Sequence, residues 1–180
     1  MNVSVASTAD IAALNRLVNS AYRGESSRAG WTTEADILGG QRIDEGRLRD
    51  ILSDPKQRLL CLRDDSDEVI GCVCLEQYTD RDGVSCCYLG MLTINPEKQT
   101  GGLGKFLIAR AEEFARAWGA IRMSLTVIHV RTELMAWYER RGYVRTGERK
   151  PFPYGDERWG VPKVDDLEFV VLRKSVIAER

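Results

Sequence analysis

A glycine-rich run, Gln99-Thr100-Gly101-Gly102-Leu103-Gly104-Lys105, has the residue types and the spacing to bind an anion. The extended apolar segment 88–94 leads into this run, and an amphipathic helix over 102–118 is predicted to follow it. The start of a helix exposes backbone N–H groups at the positive end of the helix dipole, where phosphate groups bind well. Glycines let the backbone approach a ligand closely because no side chain intervenes. The run therefore predicts a phosphate-binding turn.

Two common nucleotide-binding motifs do not match this turn. A Walker P-loop needs a four-residue spacer and a Ser or Thr after the lysine, and both are missing around Lys105. A dinucleotide fold needs a further, later glycine, and its turn follows the first strand of a parallel sheet. The turn therefore indicates a different kind of phosphate ligand.

Hydrophobic periodicity predicts the elements that position the turn. Helices are predicted over 11–21, after the capping pair Ser7 and Asp10, and over 44–52, 102–118 and 131–141. Strands are predicted at 3–5, 58–63, 69–78, 84–94, 121–128, 143–146 and 167–172, with loops at 23–42 and 149–165 and a charged tail after 173. Short polar tips between the middle strands indicate an antiparallel meander. We expect one mixed α/β domain over 1–180, with a mostly antiparallel sheet of about six to seven strands and about four helices.

Composition excludes several classes of function. The formal net charge of −1 and the lack of a long basic run argue against binding to a nucleic acid. No apolar stretch is long enough for a membrane helix, and the N-terminus has no signal-peptide pattern. The five cysteines fall in predicted strands without metal or redox spacing, so we expect buried thiols, no metal and a cytoplasmic protein.

Two motifs in order resemble those of one known family. Within residues 92–104, Gln99, Gly102 and Gly104 satisfy the pattern Arg or Gln, two variable residues, Gly, one variable residue, then Gly or Ala. Residues 136–143 match a second pattern, in which Tyr138 precedes Gly142-Tyr143 at the end of a helix. Together the motifs resemble the GNAT superfamily of acyl-CoA N-acyltransferases, whose order of elements covers nearly the whole chain.

The resemblance implies that acetyl-CoA binds where the fourth and fifth strands splay apart. Backbone N–H groups of Gln99, Thr100, Gly101, Gly102, Leu103, Gly104 and Lys105 would hold its pyrophosphate. The main chain of Leu92, Thr93 and Ile94 would pair with pantetheine as an added strand would. Arg131 stands where relatives often carry Asn, and Leu134 where they carry Ala. Arg131 could still reach a phosphate of coenzyme A or cap nearby carbonyls, or it could be a solvated charge at the start of a helix.

Tyr138 has the position of the family's usual general acid. Coenzyme A leaves as a thiolate, whose pKa of about 8.5 lies below the roughly 10 of a phenol, so a tyrosine can donate or share a proton as the thiolate forms. The other interpretation is a packed tyrosine, one helical turn from Leu134.

The proton of the attacking amine needs an acceptor, and several candidates stay open. Some relatives place a glutamate on the fourth strand where this sequence has Tyr88. Glu76, Glu34, His129 or an ordered water could replace it. Cys86 and Cys87 precede the cofactor strand, but no residue marks itself as an activating partner, so direct transfer is preferred.

The acceptor itself stays open. Relatives place the loop 23–42, with Trp31, and the segment 149–165 on the acceptor side; Phe152, Tyr154 and Trp159 there could bind the acceptor or pin the loops. Trp118 and Trp137 are interpreted as packing residues.

The predicted function is acetyl transfer to a primary amine of a small molecule, amino acid or peptide, in a possible homodimer. The alternative is a non-catalytic acyl-CoA sensor.

Overall fold

The chain folds around a seven-stranded sheet with helices on both faces. The structure is a computed structural model that describes residues 1–99 and 101–177. The strands of the main sheet are β1 (Asn2–Val5), β3 (Gln57–Arg63), β4 (Val69–Thr79), β5 (Ser85–Ile94), β6 (Arg122–Ile128), β7 (Val144–Pro151) and β9 (Glu168–Ser175), in the order β1-β3-β4-β5-β6-β9-β7. A separate two-stranded sheet pairs β2 (Leu38–Gly39) with β8 (Val161–Pro162). The helices are α1 (Ile11–Tyr22), α2 (Glu45–Ser53), α3 (Leu103–Ala117) and α4 (Thr132–Glu139). The predicted mixed α/β fold is confirmed.

Strands β5 and β6 separate soon after they meet. They are the fourth and fifth strands of the main sheet and its parallel pair, and every other neighbouring pair is antiparallel. Pairing is confined to three positions, Cys86 with Arg122, Cys87 with Met123 and Tyr88 with Ser124. Because β5 continues to Ile94, the backbone groups beyond Tyr88 that face β6 have no strand partner there. The predicted splay is confirmed.

Two apolar layers hold the sheet between its helices. On one face, α3 buries Leu107, Ile108 and Ala111 against strand residues such as Leu62 and Leu75. On the other face, the apolar sides of α1 and α2 pack on β3 and β4. Each fully buried leucine contributes about 1.5–3 kcal/mol relative to an exposed one, so these layers fix the height and angle of the helices around the splay.

The two predicted loops contain more regular structure than the sequence indicates. Segments 23–42 and 149–165 meet through the β2–β8 pair, and Lys163 Nζ donates to the carbonyl of Ala35 at 2.6 Å. Strand β7 extends through 151, and β9 continues into the predicted tail as far as Ser175. All eight residues of β7 are exposed, so this edge strand lacks the apolar alternation that reveals a strand. Strands β2 and β8 have two residues each, which is too short for an alternation of apolar and polar residues to be recognised.

Candidate active site

The glycine run forms an open turn at the start of α3. Gly101 and Gly102 have φ values of +72° and +77°, in the left-handed region that favours glycine. The first helical hydrogen bond runs from Phe106 N–H to the carbonyl of Gly102 at 2.9 Å. The preceding N–H groups, those of residues 103–105, therefore lack partners within the helix. A Cβ atom on Gly101 or Gly102 would meet nothing within 4 Å, so the turn that precedes these N–H groups borders open space.

A cleft opens beside this turn, between the end of β5, the start of α3 and one side of α4. It encloses about 790 Å³, including open solvent at its mouth. Nine residues assigned to the site from the sequence line the cleft: Leu92, Thr93, Ile94, Gln99, Gly102, Gly104, Lys105, Arg131 and Tyr138. Gly101 lies in the adjoining turn, and the side chain of Leu103 is buried in the core, so only its backbone can serve the cleft. Thr100 lies outside the described residues.

The side chain of Gln99, at the wall of the cleft, also holds a neighbouring loop in place. Its Oε1 accepts a hydrogen bond from the N–H of Trp31 at 2.9 Å, and its Nε2 donates to the carbonyl of Ile94 at 3.2 Å. The loop that carries Trp31 is thereby tied to the end of β5. Trp31 lines this same cleft, whereas the resemblance implied a place for its loop on the acceptor side.

Arg131 is one of two arginines that form ion pairs with the buried Glu34. Its Nη1 donates to Glu34 Oε1 at 2.6 Å, and Arg23 donates to Glu34 Oε2. The side chains of Glu34 and Arg131 are only 9% and 11% exposed, so these charges are held away from water. Arg131 Nη2 also contacts Thr32 Oγ1 at 3.3 Å. Of the alternatives that the sequence left open for Arg131, a solvated charge at the start of the helix is wrong, because Arg131 is both ion-paired and part of the cleft wall.

Tyr138 presents a buried phenol to the cleft. Its ring packs edge-on against those of Trp137 and Tyr143, with centroid distances of 5.0 and 5.6 Å. Burial raises the pKa of Tyr138 well above its usual range; Tyr22 raises it further, whereas the charge of Arg131 opposes the shift. The hydroxyl consequently keeps its proton at neutral pH.

The three side chains considered as bases lie in different surroundings. Both carboxylate oxygens of Glu34 accept hydrogen bonds from arginines. His129 Nδ1 accepts the N–H of Glu168 at 3.2 Å, and His129 does not line the cleft. Glu76 is exposed and lines a second cavity, which also contains Tyr88. Of the three, only Glu76 lines a cavity and has a carboxylate that forms no ion pair with any arginine that the structure describes.

Several cleft residues were missed in the sequence. The Tyr22 hydroxyl donates to the carbonyl of Leu92 at 2.9 Å, which brings α1 to the splay. Trp137, interpreted from the sequence as a packing residue, lines the cleft. The guanidinium of Arg141 lies 3.4 Å from the centroid of the Trp137 ring and shares that wall. The signal available was the four-residue spacing between Trp137 and Arg141 on the helix that carries Tyr138.

The remaining loop aromatics contact one another and β9, with Phe152 buried and with Tyr154 and Trp159 each 45% exposed. Phe152 is buried, with its ring centroid 5.6 Å from that of Phe169 and 5.2 Å from that of Tyr154. The ring of Trp159 lies 5.9 Å from that of Phe169. Phe152 is therefore a packing residue, and for Tyr154 and Trp159 a role in acceptor binding stays a prediction.

The cysteines are poor nucleophiles. All five are free; Cys61, Cys72, Cys86 and Cys87 are buried. Burial raises the pKa of the Cys87 thiol to about 12, and that of Cys86 is raised for the same reason. Because the thiolate is the nucleophile, neither residue is prepared for covalent chemistry at neutral pH.

Two further features concern the described residues alone. None of the helices within 1–99 and 101–177 combines the length and apolar character that crossing a bilayer requires. Across the same part of the chain, no three side chains among His, Cys, Asp and Glu lie together as metal ligands would.

The structure has a splayed parallel strand pair beside a glycine turn that opens a helix, as the resemblance of the two motifs implied. Residues 14–143 match the family model described as the acetyltransferase (GNAT) family, and the chain belongs to that family. The chain is therefore an acyl-CoA-dependent N-acyltransferase. No curated protein sequence matches it.

Solved structures share the fold at low sequence identity. The ribosomal-protein-alanine N-acetyltransferase from Brucella melitensis has a TM-score of 0.72 at 16% identity, covering 97% of this chain and 99% of that one. The yncA protein from Salmonella typhimurium, solved with its cofactor acetyl-CoA, has a TM-score of 0.67 at 18% identity, covering 100% and 96%. Nourseothricin acetyltransferase has a TM-score of 0.68 at 18% identity and covers 98% of both chains.

Proposed function

We propose that the protein transfers the acetyl group of acetyl-CoA directly to a primary amine on a small molecule, an amino acid or a peptide. One observation carries this proposal: the buried phenol of Tyr138 and the open glycine turn line the same cleft. The cleft thus combines an anion-binding backbone with a protonated acid.

The residues that would hold acetyl-CoA fit its chemistry. The N–H groups from Gln99 and Thr100 through Gly101, Gly102, Leu103, Gly104 and Lys105 bind the pyrophosphate, and the open space where Cβ atoms would stand at Gly101 and Gly102 leaves room for it. The β5 backbone at Leu92, Thr93 and Ile94 binds the pantetheine amides, because β6 has diverged from it there. Arg131 adds positive charge to the wall of the cleft.

The proposed chemistry divides between an acid and an acceptor of the amine's proton. Acetyl-CoA, when bound, supplies a thioester carbonyl open to attack and a thiolate leaving group. The Tyr138 hydroxyl gives its proton to the sulfur as the C–S bond breaks, and it regains a proton from the nitrogen that has formed the new C–N bond. Burial disfavours the Tyr138 phenolate, so the two transfers are coupled.

An amine must lose a proton before it attacks. With a pKa near 10, an alkylammonium is neutral only about once in a thousand molecules at physiological pH. Glu76 takes this proton, since it is the candidate with a free carboxylate at a cavity. The overall change converts an ammonium ion and a thioester into an amide, a thiol and one released proton.

The alternative function is a non-catalytic acyl-CoA sensor, and one assay separates the two. Thiol release from acetyl-CoA is measured across a panel of amines, while melting temperature is followed with desulfo-CoA and with ATP. We expect desulfo-CoA to stabilise the protein and at least one amine to accelerate thiol release. Stabilisation by desulfo-CoA without acceleration by any amine would support the sensor, and stabilisation by ATP alone would contradict both functions.

We also propose that residues 1–180 form one catalytic domain and that the protein is cytoplasmic. Five free cysteines support the second proposal, because thiols persist in reducing compartments.

A further inference from the structure

Four polar residues form one row across the sheet at the point where the splay begins. Glu76 of β4 lies opposite Tyr88 of β5, Tyr88 opposite Ser124 of β6, and Ser124 opposite Arg173 of β9. Directly opposed residues on neighbouring strands project from the same face of a sheet. The row therefore carries a carboxylate at one end and a guanidinium at the other.

The second cavity lies over this row. It encloses about 610 Å³, open solvent included, and Tyr78, Thr126 and Lys150 extend its lining. Its middle is polar but uncharged, because the Tyr88 hydroxyl hydrogen-bonds Thr126 Oγ1 at 2.7 Å and the Tyr78 hydroxyl hydrogen-bonds Ser124 Oγ at 2.8 Å. A bound molecule would therefore meet charge only at the two ends of the cavity.

The charges at those ends remain available to a ligand. In the part of the chain that the structure describes, Glu76 and Lys150 enter no salt bridge. Arg173 uses only Nη2, which contacts Glu148 at 3.1 Å, and a guanidinium has five N–H donors. Lys150 lies opposite Phe169 on β9, on the same face as Arg173 by the alternation of the strand. One end of the cavity thus attracts a cation and the other an anion.

The cavity adjoins the proposed reaction centre. Tyr88 and Ser124 are the final β5–β6 pair, and the strands diverge immediately beyond it toward the segment 92–94 that lines the first cleft. Tyr88 also raises the pKa of Tyr138, which reflects the closeness of the two phenols. An amine held beside Glu76 and Tyr88 therefore stands at the entrance to the gap.

We infer that the second cavity binds acceptors carrying both an amine and a carboxylate, as a free amino acid does, with Glu76 holding the ammonium and Lys150 and Arg173 the carboxylate. The inference rests on the proposed function and deepens it by naming the acceptor class. The row spans three strand spacings, so the backbones of Glu76 and Arg173 lie about 14 Å apart. Because both side chains are long, the gap between their charged groups can be shorter and can match the size of a small molecule. An amine that carries no carboxylate makes a charge pair at only one end of such a cavity.

Matched acceptors test this inference. Thiol release from acetyl-CoA is measured with the common L-amino acids and with the primary amide of each, and melting temperature is measured with the same compounds in the presence of desulfo-CoA. We expect the best amino acid to exceed its amide in kcat/KM and to stabilise the protein more. In the variant K150Q/R173Q, the KM for that amino acid rises by about tenfold, as expected for loss of a charge-assisted hydrogen bond, while the KM for acetyl-CoA stays unchanged. R149Q, which alters the neighbouring residue on the opposite face of β7, leaves both values unchanged.

A charge-reversal variant tests whether positive charge at this end of the cavity selects the carboxylate. K150E should lower kcat/KM for the amino acid and narrow or invert its advantage over the amide. Equal turnover and equal stabilisation by acids and amides, or no stabilisation by any amino acid, overturns the inference on the cavity. Discrimination in melting temperature without thiol release from any acceptor instead contradicts the proposed function and upholds the binding site.

Discussion

Glu34 Oε1 accepts a hydrogen bond from Arg131 Nη1 at 2.6 Å, although 97 positions separate the two residues in the chain. The contact joins the loop between α1 and α2 to the start of α4, and Arg23 completes a buried cluster of three charges. This cluster holds Thr32, and with it the wall next to Trp31, against the proposed cofactor cleft.

Replacement of Glu34 by Gln should strongly destabilise the protein. The change leaves the guanidinium groups of Arg23 and Arg131 in the protein interior without a counter-charge. We therefore expect the free energy of unfolding to fall by about 3–5 kcal/mol. Urea denaturation measures the loss. Asp36→Asn is the matched control, since Asp36 pairs with Arg28 on the exposed surface of the same loop and should leave the midpoint unchanged. Equal midpoints for the two variants would contradict a buried role for Glu34.

Substitution of Gly102 by Ala should weaken cofactor binding as well as stability. Its φ of +77° strains any other residue by about 1–2 kcal/mol, and the added methyl group enters the space assigned to the pyrophosphate. We expect the KM for acetyl-CoA to rise by about tenfold, the equivalent of one hydrogen bond to a charged group. Gly119→Ala is the control: its φ of +94° imposes similar strain at the far end of α3. A rise in KM shared by both variants would attribute the effect to stability alone.

The sequence predicts the strand, glycine turn and helix around the site well, because each leaves a local signal. An extended apolar segment marks β5, the three glycines mark the turn, and the apolar stripe marks α3. The family resemblance implies that the turn and Tyr138 lie close together, and in the structure both line one cleft. Roles in catalysis and binding stay predictions.

Other features leave no local pattern in the sequence. The Glu34–Arg131 pair depends on where two distant segments meet, and Arg131 alone is indistinguishable from a solvated arginine. Strand β7 is exposed along its length, so it has no periodicity. Trp137 could not be separated from a core residue, since an indole that packs against Arg141 and lines a cleft is as apolar as one inside the protein.

Asp10 should make stability depend on pH in the acid range. Burial opposes its ionisation, but hydrogen bonds from Ser7 and Arg63 outweigh burial and lower the pKa of Asp10 below its ordinary value. A lowered folded pKa contributes stability that is complete above the unfolded value of about 3.9 and disappears as the pH falls through the folded value. Asp10→Asn should therefore be less stable than the wild type at pH 7, with the difference shrinking below pH ~4. Urea midpoints between pH 3 and 7 measure this, with Asp82→Asn at an exposed turn as the control; a difference independent of pH would refute the linkage.

Cysteine replacement should leave the reaction intact. Cys86→Ala and Cys87→Ala remove the thiols that precede the splay, and burial already keeps both protonated. We expect an unchanged kcat in each variant and intersecting initial-rate lines, as for direct transfer between two bound substrates. Parallel lines, or inactivity of a variant that melts as the wild type does, would indicate a covalent acyl-enzyme.

The most direct test of the proposed mechanism is the rate of thiol release by Tyr138→Phe from pH 6 to 10. We expect kcat to fall by about 100-fold with the KM for acetyl-CoA unchanged, because the variant lacks the proton given to sulfur. Since burial raises the pKa of Tyr138, the wild type should show no loss of activity from ionisation of this group in that range. Tyr143→Phe is the control, because its ring lies 5.6 Å from that of Tyr138 and its hydroxyl contacts Met123 in the core. A kcat for Tyr138→Phe equal to that of the wild type at every pH would contradict the proposed mechanism.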